Sequence, residues 1–211
     1  TVQRNRLALE ELAAQPEVRT LPPSRVVLLG RALLAVGAAS KSAEVLAAAQ
    51  RRHPADFWLN MELARTLRFD VHPPRPDEAA GYCRAALAIR PNAPGVHLGL
   101  GTCLHTPAHV DEAIAAYRRA IELDPDYVHP HHSLGQALAL KGAWHEAIDS
   151  YQECLRRRVS PFPAARVNYD LATAYRSIHE SDKAIAGYRK AIELAPKFTN
   201  AHFSLGNALF D

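Results

Sequence analysis

The 211 residues are 48% apolar and 22% charged, with a net charge of +3 at neutral pH. That is ample for a core, and the balance argues neither for nor against an acidic partner. No apolar run is long enough to cross a bilayer as a helix, and the charged start TVQRNRLALEELAAQPEV lacks the apolar stretch of a signal peptide. The three cysteines, Cys83, Cys103 and Cys154, are odd in number and far apart. They are expected as buried free thiols of a reducing compartment, the cytoplasm by default.

Residues 1–22 carry Leu7, Leu12 and Ala13 at helical spacing before Pro16 and Pro22-Pro23, and predict a capping helix with a linker. Five units follow, 23–56, 57–93, 94–127, 128–164 and 165–198, each with two helical stretches. Unit one holds SRVVLLGRALLAVG and SAEVLAAAQRR, and ends near Pro54. Unit two opens with FWLNMELARTL and has three extra residues in FDVHPPRP, where the prolines predict a loop. Unit three pairs GVHLGLGTCLH with DEAIAAYRRAIEL, and unit four HPHHSLGQALALKG with WHEAIDSYQECLRRR. Residues 160–164 are expected to lengthen the next connection, before ARVNYDLATAYRSI and SDKAIAGYRKAIEL of unit five. Residues 199–211, TNAHFSLGNALFD, read as the first helix of a sixth unit.

The second stretches repeat. Aligned on Ala79, Ala113, Ala147 and Ala184, they recur after 34, 34 and 37 residues, the period of a helical solenoid. The residue types have physical reasons. Helices cross closely only where a Gly or Ala admits the facing helix, with Leu and Tyr filling the groove beside it. A closing Pro ends the second helix. Asp111, Ser181 and Asp182 are placed as N-caps or first-turn residues.

Leu134-Gly135, Leu138, Ala147, Tyr151 and Cys154, and again Leu171-Ala172, Tyr175, Ala184, Tyr188, Ala191 and Pro196, resemble the tetratricopeptide repeat (TPR), and the pattern extends over about nine tenths of the chain. The resemblance implies an all-α, right-handed α-solenoid of helix-turn-helix repeats with a concave groove, and a non-catalytic scaffold whose groove holds a peptide or partner protein. The phrase RRHPADFWLNMELARTLR, with DEAAGYCRAALAIRPNAPGVHLGLG, resembles TPR segments attached to large bacterial serine/threonine kinases. None of the kinase's own motifs is present in these residues. A recruiting or regulatory segment of a larger enzyme is therefore the alternative.

Counting from the start of each first helix, the groove-facing residues implied are Ser24, Val27 and Arg31; Trp58, Met61, Glu62 and Arg65; and Leu98 and Thr102. Later units add His129, His132, Ser133 and Gln136; Arg166, Tyr169, Asp170 and Thr173; and Phe203, Ser204 and Asn207. Trp58 and Met61 have packing between helices as their alternative role. No three consecutive units supply the Lys, Asn and Arg set with which chaperone-binding TPR domains clamp a terminal carboxylate. Only Asn207 corresponds to the asparagine ladder of the nucleocytoplasmic glycosyltransferase.

His129 and His132 have a spacing that can hold zinc, yet no acid or Cys stands at ligand spacing to them, and no metal or cofactor is expected. His97, His131 and His202 share the fourth position of their helices and are expected to pack. No nucleophile–base pair points to catalysis, and Arg156-Arg157-Arg158 suits a helix end better than nucleic acid. Leu205, Leu209 and Phe210 have no second helix in this sequence to cover them, so that either the array continues or another copy covers the face; the expectation is a homodimer or end-to-end packing through residues 199–211.

Overall fold

The computed structural model describes residues 2–157 and 161–210, and every regular element among them is helical. The chain divides into two compact units, residues 1–104 and 105–211. In the first, α1 (Val2–Ala14) and a 3-10 turn (Pro16–Thr20) precede α2 (Pro23–Ala35), α3 (Ala39–Arg52), α4 (Phe57–Arg65), α5 (Pro76–Ile89) and α6 (Pro94–Cys103). Helix α1 packs on α2 and α3; α2 packs on α3, α4 on α5, and α5 on α6. The first helices α2, α4 and α6 also touch in sequence. The second unit holds α7 (Val110–Leu123), α8 (Val128–Lys141), α9 (Trp144–Arg156), α10 (Pro161–Ser177), α11 (Ser181–Leu194) and α12 (Thr199–Phe210). There each helix packs on the next, and α8 meets α10.

Helix ends follow from local chemistry. Pro23, Pro76 and Pro94 open α2, α5 and α6, where a missing N–H costs nothing. The Asp56 carboxylate accepts the Leu59 N–H at 2.8 Å, which caps α4. Asp111 and Asp182 lie in the first turns of α7 and α11, whereas Ser181 makes no capping bond. Helices α2, α8 and α10 all turn into their partners through one left-handed residue, Gly37 (φ 77°), Gly142 (φ 82°) and His179 (φ 62°), as helix C-termini commonly do. At each, the following N–H returns five residues, Ala38 to Leu33, Ala143 to Leu138 and Glu180 to Tyr175.

The cores are layers of small and large residues. Tyr117, Tyr151 and Tyr188, one on each second helix of the later unit, are buried almost completely. A Cβ on Gly135 would stand 2.4 Å from Cε1 of Tyr151, one on Gly187 2.8 Å from Cβ of Ala172, and one on Gly30 3.1 Å from the Leu46 side chain. Cys83, Cys103 and Cys154 are free and buried, as the sequence implied.

Two connections differ from expectation. The stretch after α4 is not a loop from Phe69 on: residues Thr66–Asp70 continue the helix as a π turn, and the chain leaves it only at Val71. Residues 161–164, expected in a connection, form the start of α10, with Pro161 as its first residue. Ser160 lies outside the described residues.

The histidines also do more than pack. His97, His131 and His202 each donate Nε2–H to a proline carbonyl six residues earlier, Pro91 (2.8 Å), Pro125 (3.2 Å) and Pro196 (2.9 Å). Asn60 donates in the same way to Pro54 (2.9 Å). Each proline lies two residues past the preceding helix, so the bond ties one helix hairpin to the next. Asn168, the fourth residue of its repeat unit but the eighth of the longer α10, reaches the Ala164 carbonyl of its own helix instead (2.8 Å).

The glycine layer gives a direct test. Gly135→Ala forces the buried Tyr151 ring aside and is expected to cost about 1–3 kcal/mol. Gly206→Ala, where a Cβ meets nothing within 4 Å, is expected to stabilise by about 0.5–1 kcal/mol. Urea unfolding of both variants beside the wild type measures the contrast.

Candidate functional site

In the first unit, α2, α4, the π turn, α5 and α6 enclose a pocket of about 270 Å³. Trp58, Met61 and Phe69 give its apolar walls, Cys83, Gly99 and Cys103 line it from α5 and α6, and Arg31, Glu62, Arg65 and Arg68 bring charge. Trp58 and Phe69 are 56% and 57% exposed, unusual for side chains of their size. The Trp58 position three residues before Met61 puts both on one face of α4.

Glu62 is the fixed point of this site. Its side chain is only 5% exposed. Arg31 on α2 donates from Nε (3.0 Å) and Nη2 (2.9 Å) to Oε2. Arg65, one turn along α4, donates from Nη2 (2.7 Å) and Nε (3.3 Å) to Oε1, and from Nη1 to Asp70 Oδ2 (2.9 Å). Burial raises the Glu62 pKa, but the hydrogen bonds and charges of the two guanidinium groups outweigh it, and the net shift is downward. Beneath, the Cys83 thiol is held well above its usual range by its hydrogen bond to Cys103 and by burial.

Arg31, Trp58, Glu62 and Arg65, chosen from sequence, therefore do meet, together with Met61. Thr102 does not join them: its hydroxyl donates to the Leu98 carbonyl of its own helix (2.9 Å), and only its carbonyl takes part, accepting from Arg68 Nε (3.3 Å). Val27 is buried rather than presented. Position counting within the repeat has no place for Arg68 and Phe69, and the prolines of FDVHPPRP point to a loop from Phe69 on. The signal was the three-residue insertion itself, since an extended helical turn absorbs extra residues and redirects side chains.

The second unit repeats the arrangement with other residues. Asp170 on α10 accepts from His132 Nε2 (2.8 Å) and Gln136 Nε2 (3.0 Å) on α8, and Arg166 Nε stands 3.3 Å from its other oxygen. The Asp170 side chain is 12% exposed. Tyr169 packs at a tilt against Tyr188 and Phe198 (ring centres 5.7 and 5.1 Å apart), with its hydroxyl 3.4 Å from that of Ser204. Thr173 turns inward, donating to the Tyr169 carbonyl (3.0 Å) beside the Tyr188 hydroxyl (3.2 Å). His132, Gln136, Arg166, Tyr169 and Asp170 thus form one cluster. His129 stands apart, exposed against the Tyr127 ring (5.9 Å). Phe203 is 71% exposed and Asn207 half-buried on α12. Arg156 and Arg157 both pair with Glu153, and Arg157 also donates to the Pro125 carbonyl (2.9 Å). Arg158 lies outside the described residues. Among the described residues no three His, Cys, Asp or Glu side chains gather as metal ligands, and no helix is long and apolar enough to cross a membrane.

Family models described as "TPR repeat" and "Tetratricopeptide repeat" match residues 110–142 and 172–211, and 131–161, all in the second unit. The chain carries tetratricopeptide repeats. Solved TPR structures extend the likeness over both units. MamA is 19% identical, with a TM-score of 0.70 over 84% of this chain and 94% of its own. TTC0263 of Thermus thermophilus is 24% identical (TM-score 0.64; 90% of this chain and all of its own, 100%). YrrB, described as a TPR protein with an unusual peptide-binding site, is 18% identical (TM-score 0.67; 85% and 89%). Identities this low carry the fold alone. No curated protein sequence matches the chain.

The Glu62 bridge makes a prediction with a sign. Because its folded pKa lies below the unfolded value, the bridge contributes stability above the unfolded value of about 4.5 and loses it as pH falls through the folded one. Glu62→Gln is expected to cost about 1.5–3 kcal/mol at neutral pH and to flatten the acid limb of stability against pH. Urea midpoints from acid to neutral pH check both.

Proposed function

We propose that this TPR protein is a non-catalytic interaction scaffold whose first helices bind an extended or helical segment of a partner protein. The observation that carries the reading is the first-unit pocket, where exposed Trp58 and Phe69 border a cavity on the first-helix side chains. An aromatic-walled cavity with arginines at its edge has the composition of a binding hot spot. In the second unit the row of His132, Gln136, Arg166, Tyr169 and Phe203 on α8, α10 and α12 offers a second, more polar contact face. That YrrB has a peptide-binding site on the same fold agrees with the reading.

Exposed Leu209 and Phe210 on α12 favour pairing with a second copy through that helix, whereas Leu205 is partly buried against Ala172, Ala184 and Tyr188. The resemblance of residues 51–101 to kinase-attached repeats favours a second setting, a recruiting arm of a larger enzyme. There the same faces bind and the chemistry is encoded elsewhere.

Photo-crosslinking tests the reading. A benzoylphenylalanine at Trp58 or Phe203, on first helices, is expected to capture partner protein in source cells, and one at Arg189 on α11 to capture little. Equal yields from all three positions would falsify it.

A further inference from the structure

We infer that the first-unit pocket selects an acidic–apolar peptide: one large apolar side chain enters between Trp58, Met61 and Phe69, and a neighbouring carboxylate pairs with Arg68. This rests on the scaffold reading above and narrows it to a ligand chemistry.

Size agrees with a side-chain occupant. Small-molecule sites usually run to roughly 300–1,000 Å³. This pocket, about 270 Å³, has room for one or two side chains of a peptide that continues across the surface.

Charge sets the sign. Glu62, the acid that lines the pocket, is already spent on Arg31 and Arg65, and Asp70, next in sequence to Phe69, is spent on Arg65. Arg68 has no acidic partner among the described residues. Its Nε donates to the Thr102 carbonyl and its guanidinium carbon lies 5.4 Å from the Phe69 ring centre. Arg90, also without an acidic partner among the described residues, lies 4.2 Å from the Phe57 ring centre and 5.7 Å from that of Trp58. Each exposed aromatic wall thus already carries a cation of this chain. A cationic ligand seeking those rings would meet Arg68 and Arg90 in its place, whereas a carboxylate gains a charge-assisted bond to a guanidinium half withdrawn from water.

The experiment uses the full chain with Trp144→Phe, leaving Trp58 the sole indole. The probes are synthetic peptides of about a dozen residues with one central Phe flanked by Glu, Ser or Lys. Trp58 fluorescence and peptide anisotropy follow binding. The Glu-flanked peptide is expected to saturate Trp58 roughly tenfold or more tighter than the Ser-flanked one, the Lys-flanked peptide to fail, and Phe→Ser in the probe to abolish binding. Arg68→Glu should weaken the Glu-flanked peptide roughly tenfold or more and improve the Lys-flanked one, with Arg90→Glu as the second variant and circular dichroism confirming the fold of each. Ser- or Lys-flanked peptides binding as well as Glu-flanked ones, or folded Arg68→Glu and Arg90→Glu variants both binding like the parent, overturns the acidic preference and leaves the peptide scaffold standing. No response of Trp58 to any peptide overturns the acidic preference and removes the pocket's support for the scaffold as well.

Discussion

Everything in both units depends on how closely paired helices approach. Gly135 lies so near Tyr151, and Gly187 so near Ala172, that a methyl group at either glycine overlaps its neighbour. Close approach lets Tyr151 on α9 and Tyr188 on α11 be buried almost completely, and dense packing of this kind resists sliding of the side chains beside it. The first-helix side chains therefore stand at positions the layer beneath dictates. A binding face built on such a layer needs little ordering when a ligand arrives.

The polar residues of that face do two different jobs. Glu62 and Asp170 are each nearly enclosed, and each takes donors from its own helix and from the preceding first helix. They are struts between neighbouring hairpins, and the residues that grip them are occupied. What remains for a ligand is the aromatic walls, Met61, Arg68, Tyr169, Phe203 and the outer faces of the residues that grip the struts, Arg31, His132, Gln136 and Arg166. Satisfying a buried carboxylate this fully is what keeps it from being a liability in the interior of the face.

Much of this was legible in the sequence because the periodicity is a packing rule. Ala79, Ala113, Ala147 and Ala184 announce where second helices meet their partners, and they locate the first helices by subtraction. Position counting then found Arg31, Trp58, Glu62 and Arg65 in one place and His132, Gln136, Arg166 and Asp170 in another. It could not tell a strut from a contact residue, since that depends on where the donors of the neighbouring helix fall. Thr102 shows the same limit: a hydroxyl on the expected face still turned to its own helix. Arg68 and Phe69 escaped because a repeat template has no place for an insertion, and the π turn that absorbs it is set by local hydrogen bonding rather than by the repeat.

The bonds from Asn60, His97, His131 and His202 to the proline carbonyls have one further consequence. Each lies at a separate junction between hairpins and uses a side-chain N–H rather than a backbone one. Three of these are imidazoles, whose ring nitrogens resonate far from the amide region in a nuclear magnetic resonance spectrum. The chain therefore carries its own set of internal gauges, one histidine for each of three junctions. The ring signal of each histidine reports whether the bond at its own joint is made.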